Sequence, residues 1–300
     1  MDRVFEYAIT SEHDGANVTT VLKQHFKMST NLIKDLKKYE DGLRLNGAHV
    51  RTVDYVRTGD ILTVTLRDGA SENIIPKNIP LDIVYEDEDI LVLNKPPHMP
   101  THPSMGNYEN SLANGVMYYF QSKGEDRVFR AVNRLDKDTS GLMAVAKNAY
   151  IHARLGEEIQ TKELGRRYKC IVCGDIVSDG TVNAPIRRAD GSVINRIVAP
   201  DGQSAVTHYK VIERYGEYTL LEMELETGRT HQIRVHMAHI GHPLVGDWLY
   251  GTENHTLVQR QMLHSCYLRF IHPVSGREME FNNEMAQDMS DFIEKILSNC

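Results

Sequence analysis

Cysteine is scarce in this chain, with four in 300 residues: Cys170, Cys173, Cys266 and Cys300. So few, so unevenly placed, cannot form a disulfide framework, and all four are expected to be reduced thiols. Long apolar runs are also missing. No stretch approaches the ~18 uninterrupted apolar residues of a membrane span, and the start MDRVFEYAIT lacks the basic end and apolar run of a signal peptide. Both absences predict a cytoplasmic protein with no membrane partner. There is no internal repeat and no low-complexity tract. Excess positive charge is lacking too: the formal charge is −7. Nucleic-acid binding is largely phosphate neutralisation by Lys and Arg, so a nucleic-acid binder with this charge needs a polarised surface.

The charge is polarised. Residues 20–67 hold nine Lys and Arg against five Asp and Glu, whereas residues 278–300 hold six acidic residues against Lys295 alone. With 41% hydrophobic and 25% charged residues the chain is neither disordered nor fibrous, and its length allows one large domain or two ordinary ones.

The basic segment reads VTTVLKQHF, STNLIKDLKKYED, GLRLNGAHV and DYVRTGDILTVTL. This predicts two short amphipathic helices, then short strands with turns at Asn46-Gly47 and Gly59-Asp60. Ser29 and Thr30 are candidate N-caps for the second helix. Its apolar stripe is Leu32, Ile33 and Leu36, which leaves Lys34, Lys37 and Lys38 largely on the other face. For a lone helix, such a charge run is usually a solvated face. The stretch GASENIIPKNIP, polar with two prolines, reads as a linker.

From Leu81 onward the pattern changes. LDIVYEDEDILVLNKPP is two strand-like runs around an acidic turn. RYKCIVCGDIV, AVTHYKVIERY and EYTLLEMELET read as strands, and SLANGVMYYFQSK, YIHARLGEEIQTK and MAQDMSDFIEKILSN as helices. Strand runs with occasional helices predict an α+β domain with a mostly antiparallel sheet.

Three stretches carry candidate chemistry. In VNRLDKDTSGLMAVAKN, Arg134, Asp136, Asp138, Thr139 and Ser140 crowd a turn before an apolar strand. Asp136 is a candidate nucleophile or base, although an Asp beside an Arg is more often a structural ion pair or turn cap. In LETGRTHQIRVHMAHIGHPLVGDWLYG, His231, His236, His239 and His242 invite a metal reading. The lack of an HExxH pattern or a nearby cysteine pair argues against it. Read as a strand, THQIRVH puts Gln232, Arg234 and His236 on one face, so that Arg234 projects from a rigid element. Cys170 and Cys173 form a lone CxxC, but residues three apart on a strand point to opposite faces, and both read as small hydrophobes. The same alternation groups Tyr168, Cys170 and Val172. Alone, Tyr168 reads as a core or edge-strand tyrosine.

The first segment, with Leu45-Asn46-Gly47 and Gly59-Asp60-Ile61-Leu62, resembles the S4 RNA-binding module, although Val18-Thr19-Thr20 replaces its usual Arg-Leu-Asp opening. NKPPHMPTHPS, VNRLDKDTSGLMAVAKN, RYKCIVCG, TGRTHQIRVHMAHIGHPLVGDWLYG and LHSCYLRFIHP, in that order, resemble the RluA family of pseudouridine synthases over essentially the whole chain after residue 81. The resemblance implies an α+β catalytic domain at 81–300 with a mixed, mostly antiparallel sheet and a central cleft. A linker at 74–80 would join it to a small S4-like α/β module at 1–73. It implies an isomerase, an intramolecular transferase acting on RNA uridines, with no cofactor and no metal. Its partner is RNA, ribosomal RNA being favoured over tRNA, and it is expected to act as a monomer. The family's catalytic aspartate falls on Asp136, its active-site tyrosine on Tyr168 and the arginine paired with the aspartate on Arg234. Arg134 falls on the arginine that enters the RNA stack where the uridine leaves, and Arg229 on a candidate phosphate contact; Lys34, Lys37 and Lys38 become candidate RNA contacts. Asn133 stands where the family commonly has His, and His98 where it commonly has Gly.

Two other classes compete: a non-catalytic RNA-binding or ribosome-assembly protein, and a metal-dependent hydrolase built on the histidines. Asp136, Tyr168 and Arg234 occurring together argue against the first. The isomerisation breaks N1–C1′ and joins C5 to C1′ without redox change. A carboxylate suits it as nucleophile at C1′ or base at C2′, and a buried arginine beside a carboxylate favours its charged form. The target nucleotide must leave its stack, and a planar guanidinium can fill the gap.

Overall fold

The computed structural model describes residues 2–67, 74–251 and 258–298. Cys300 and the junction at residue 73 lie outside the described residues. At the N-terminus, β1 (Arg3–Ala8), α1 (Val18–Gln24), α2 (Thr30–Leu36), β2 (Leu43–Leu45), β3 (Ala48–His49) and β4 (Ile61–Leu66) build a small antiparallel sheet in the order β1-β4-β2-β3. Ser29 Oγ accepts from the Leu32 amide at 3.2 Å, so Ser29 is the cap of α2 and Thr30 its first residue. Leu32, Ile33 and Leu36 are buried, while Lys34, Lys37 and Lys38 are exposed. Local sequence does not announce strand β1. It pairs along its whole length with β4, from Arg3 opposite Leu66 to Ala8 opposite Ile61, a long-range pairing that no turn signals.

The rest follows as β5 (Ile83–Glu86), β6 (Ile90–Lys95), α3 (Leu112–Ser122), β7 (Ser140–Ala146), α4 (Ala149–Thr161), β8 (Gly165–Cys173), β9 (Gly180–Asn183), β10 (Ile186–Arg188), β11 (Arg196–Val198), β12 (Val206–Arg214), β13 (Tyr218–Leu225), α5 (Gln232–His239), β14 (Leu263–Ile271), β15 (Glu278–Asn282) and α6 (Gln287–Ser298). Nine strands form one sheet in the order β5-β6-β7-β14-β8-β13-β12-β9, with β15 on β14 and β10–β11 a separate hairpin. Among the described residues of that sheet only the β7–β14 pair is parallel. The expected α+β class and mostly antiparallel sheet are what the chain forms. No helix among the described residues is long and apolar enough to cross a membrane.

Period two makes this sheet a middle layer. Along β6 and β7, Ile90, Val92, Leu142, Ala144 and Ala146 enter the core shared with α4 and the N-terminal sheet. Leu91, Leu93, Met143 and Val145 enter the core beneath α3 and α5. Each fully buried Leu, Ile or Val contributes about 1.5–3 kcal/mol, so β7, buried at every position, is the spine of the fold. The loop carrying Asp136 leads directly into it.

Strand β8 behaves as its alternation requires. Tyr168, Cys170 and Val172 share the core with Met223 and Leu221, while Cys173 packs on the opposite side with Ile171 and Tyr218. The CxxC sulfurs therefore diverge. Cys170 is fully buried and Cys173 partly so.

THQIRVH is not a strand. Residues Gln232–His239 form helix α5, buried at every position from Gln232 to Met237. Side chains buried all round fit a helix wedged between elements better than an alternating half-exposed strand. Polar partners hold it there: Gln232 Oε1 accepts from Thr227 Oγ1 at 2.8 Å and from the Arg229 amide at 3.0 Å. His236 bridges Thr207 Oγ1 at 2.8 Å and the Ala184 carbonyl at 2.9 Å. Gly241, at φ +84 just past the helix end, is the stop signal that the histidine spacing obscured.

At the parallel β7–β14 contact, Gly141 lies opposite Ser265 at φ +110, and a Cβ there would sit 2.2 Å from the Ser265 carbonyl oxygen. Gly47, at φ +82, has open space around it. Gly47→Ala should therefore cost about 1 kcal/mol, from backbone conformation alone. Gly141→Ala should cost at least about 3 kcal/mol, because a backbone clash in the spine is added. Urea denaturation of both variants decides it, and equal losses would remove the steric argument.

Candidate active site

Asp136 sits in the loop entering β7, with its carbonyl accepting from the Thr139 amide at 3.1 Å. Helix α5 places Arg234 against it. Arg234 Nη1 donates to Asp136 Oδ2 at 3.0 Å, while Nε and Nη2 donate to the two carboxylate oxygens of Asp247 at 2.7 and 2.8 Å. The Arg234 side chain is 4% exposed and that of Asp247 0%, whereas Asp136 keeps 24%. Burial alone would pull the guanidinium toward neutrality; the bonds and charge of Asp247, then Asp136, reverse this and raise its pKa above the ordinary value. Asp247 also accepts from the amides of Leu249 and Tyr250 at 3.0 and 3.2 Å.

A small cavity of about 60 Å³ is walled by Arg134, Asp136, Tyr168, Arg229, His231 and Arg234, among others. It adjoins a cleft of about 750 Å³ that shares Arg134, Asp136, Tyr168 and Arg229. Tyr168 is 5% exposed, and burial raises its pKa, keeping the hydroxyl neutral. Arg134 and Arg229 are exposed on the rim, Arg229 Nε donating to the Ser204 carbonyl at 3.0 Å. The structure thus brings Asp136, Tyr168, Arg234, Arg134 and Arg229 together. Lys34 lies in α2, whereas Lys37 caps its C-terminal end and Lys38 lies in the turn beyond, so the three do not share one helix face as expected; all are outside both cavities.

Sequence reasoning misses Asp247, Tyr250 and Lys95, and names His231 only for a metal reading. Asp247 is the buried counter-ion of Arg234. His231 Nε2 lies 3.8 Å from Asp136 Oδ2, and its Nδ1 is 2.9 Å from the Tyr250 hydroxyl. Burial lowers the His231 pKa, with Asp136 opposing, which favours a neutral ring beside the carboxylate. The Tyr250 ring lies under the Arg234 guanidinium at 5.2 Å. Lys95 is fully buried, and its Nζ donates to the carbonyls of Pro96, Met99 and Lys137 at 2.8, 2.8 and 3.0 Å. Burial pushes its pKa down to about 7, opposed by Asp138 and Asp136. Asp247 was within reach, because a buried arginine needs a carboxylate and Asp247 lies thirteen residues away in the same motif.

The two unusual positions have plain roles. Asn133 is buried, its Oδ1 accepting from the Ala144 amide at 2.9 Å. His98 has φ +61, where glycine is at ease, and its Nδ1 lies 3.0 Å from Asp138 Oδ1.

Asp247→Ala leaves Arg234 buried without its bidentate partner and should cost about 3–5 kcal/mol. Asp136→Ala removes one bond from a partly exposed group and should cost about 1 kcal/mol or less. Chemical denaturation of the two variants compares them; an Asp247→Ala loss no larger than that of Asp136→Ala would show that Arg234 is anchored elsewhere.

A family model described as RNA pseudouridylate synthase matches residues 89–239. The Bacillus subtilis (strain 168) protein named uncharacterized RNA pseudouridine synthase YjbO is 44% identical over 269 residues, covering 89% of this chain and 94% of that protein. Ribosomal large subunit pseudouridine synthase D of Escherichia coli (strain K12) is 45% identical over 232 residues, covering 73% of this chain and 71% of its own. Human RNA Pseudouridylate Synthase Domain Containing 4 has the same fold at a TM-score of 0.59 and 22% identity, covering 72% of this chain and 93% of the human one. By these matches the chain belongs to the RluA-type RNA pseudouridine synthases, a family of isomerases.

Proposed function

We propose that this enzyme isomerises specific uridines of ribosomal RNA, with Asp136 acting on the sugar of a nucleotide flipped into the cavity. The observation that carries this reading is the carboxylate of Asp136, held by the buried Arg234 at 3.0 Å yet open to a cavity walled by Tyr168 and Arg134. Asp136 attacks C1′ or removes a proton at C2′, and either route releases N1 from C1′. The base then turns and C5 joins C1′, displacing the Asp136 carboxylate in the first route and with the proton returned to C2′ in the second; the C5 proton departs and N1 is protonated. Nothing is oxidised or reduced, and no cofactor or metal takes part. Arg234 keeps Asp136 aimed. Tyr168 offers a flat wall to the flipped base and a neutral hydroxyl for proton traffic near C5. Unstacking a nucleotide costs a few kcal/mol; Arg134, exposed on the rim, offsets part of it by filling the gap, since guanidinium stacks on bases where ammonium does not. Arg229 contacts phosphate.

Ribosomal RNA is favoured over tRNA by the name of the Escherichia coli relative and by the basic first segment. Residues 1–73 act as an S4-like RNA-binding module and 81–300 as the catalytic domain, joined at 74–80. The enzyme works in the cytoplasm as a monomer. Mapping pseudouridine in total RNA from a deletion strain identifies the substrate, and loss of sites only in tRNA would overturn the ribosomal assignment.

Asp136→Asn keeps shape and removes charge. The variant should fold, bind the same RNA with similar affinity and form no detectable pseudouridine, whereas Asp138→Asn, whose side chain meets His98 and lines neither cavity, should stay active. Substantial turnover by Asp136→Asn, after mass spectrometry has ruled out deamidation, ends this assignment of the carboxylate. Replacing Lys34, Lys37 and Lys38 together with Gln should reduce the log–log salt slope of RNA binding by roughly 0.7–0.9 for each phosphate no longer neutralised. An unchanged slope would show that these lysines do not touch RNA.

A further inference from the structure

The loop that carries Asp136 makes few bonds to itself; its carbonyls are held from outside. Thr101 Oγ1 donates to the Leu135 carbonyl at 2.9 Å, Lys95 to that of Lys137 at 3.0 Å and Arg260 Nη1 to that of Asp138 at 3.1 Å. Thr101 and Lys95 precede the loop. Arg260 comes from the far end of the chain and is 1% exposed. Its Nη1 also donates to the carbonyls of Gln261 and Leu263, both at 3.1 Å. Its Nε and Nη2 donate to the two oxygens of Asp288, in the first turn of α6, at 2.6 and 2.7 Å. The residues after Arg260 continue the contact in step: Gln261 Nε2 donates to Thr139 Oγ1 at 3.2 Å and His264 Nδ1 lies 2.9 Å from Ser140 Oγ.

Guanidinium is planar, so a bidentate carboxylate on one edge fixes where the remaining nitrogen points. Here that nitrogen points at the Asp138 carbonyl, two residues from Asp136. Asp288 lines neither cavity of the active site and its side chain is 44% exposed. It touches nothing that reacts, yet it sets the direction of the bond that holds the Asp138 carbonyl, on the C-terminal side of Asp136. We infer that Asp288 is a positioning residue for the isomerisation, acting through Arg260 so that the C-terminal helix holds the Asp136 loop in register. This rests on the assignment of Asp136 as the group that acts on the sugar. Without Asp288 the buried guanidinium loses its counter-ion and turns toward other acceptors, the Asp138 carbonyl loses its donor, and Asp136 drifts from the nucleotide. Misplacement of about 1 Å in a reacting group can lower a rate about 100-fold.

The test uses the full chain and a stem-loop RNA, with kcat and KM measured separately beside thermal melting. Asp288→Ala should lower kcat about 10- to 100-fold with KM within about threefold, and Asp288→Glu should recover most of the loss. The double variant Arg260→Met with Asp288→Leu removes the buried charge, so it should melt close to the parent while kcat stays low. Asp136→Asn is run in parallel. If Asp288→Ala keeps kcat within about twofold while Asp136→Asn is dead, the positioning role is overturned and Asp136 stands. If the double variant regains both stability and kcat, Asp288 is a structural partner only and the inference fails. If Asp136→Asn turns over, the assignment of Asp136 itself is what has failed.

Discussion

One buried guanidinium organises this protein. Arg234 is 4% exposed and lies between two carboxylates, of which only one is sealed. Asp247, fully buried, takes two of its bonds and the larger share of its charge compensation. Of the remaining N–H groups, one on Nη1 reaches Asp136 at 3.0 Å. Desolvating an arginine costs several kcal/mol unless a carboxylate meets it with good geometry. Asp247 supplies that geometry, so Asp136 need not be consumed in neutralising Arg234 and can stay partly exposed at the cavity. A lysine in place of Arg234 could not do this, because a point charge with rotating donors does not join two carboxylates in a fixed plane.

Keeping Asp136 at the end of that bond requires its backbone to be equally fixed, and the fold does this from both chain directions. Lys95 closes strand β6, and its three carbonyl acceptors match the three hydrogens of an ammonium. Strand β7 then carries the loop into a segment buried on both faces. There a glycine at φ +110 lets the Ser265 backbone come closer than any side chain would allow. A loop built this way has little freedom to lose when substrate binds, and it holds the single carboxylate of Asp136 in one geometry.

How much of this was legible in sequence depends on the range of the interaction. Elements set by local periodicity were readable: α3, α4 and α6, the alternation of β8, and the apolar stripe of α2, although that helix ends at Leu36, before Lys37 and Lys38. The site residues Asp136, Tyr168, Arg234, Arg134 and Arg229 came from motifs, and the fold brings them to one cavity. What failed was tertiary. Strand β1 has no local turn to announce it. Residues 232–239 are helical because both faces are buried, whereas alternating Ile233 and Val235 suggested a strand. Lys95 and Arg260 look like ordinary surface cations until the carbonyls they meet, 42 and 122 residues away, are known.

The same long range explains how a chain of net charge −7 can serve RNA. The first β-strand does more than complete a small sheet. Arg3 donates two bonds to Asp89, both at 2.9 Å, and Asp89 is itself buried and further held by Asn148. Phe5 meets Tyr150 edge to face, with centroids 5.3 Å apart. These contacts join the N-terminal sheet and the catalytic sheet in one continuous apolar core. The basic first segment is therefore carried at a fixed place relative to the cleft, unlike a module on a free tether, whose effective concentration falls with linker length. Fixed placement turns a modest local excess of lysine and arginine into a geometric constraint: the basic residues of the N-terminal segment stand at one distance and one angle from the Asp136 cavity.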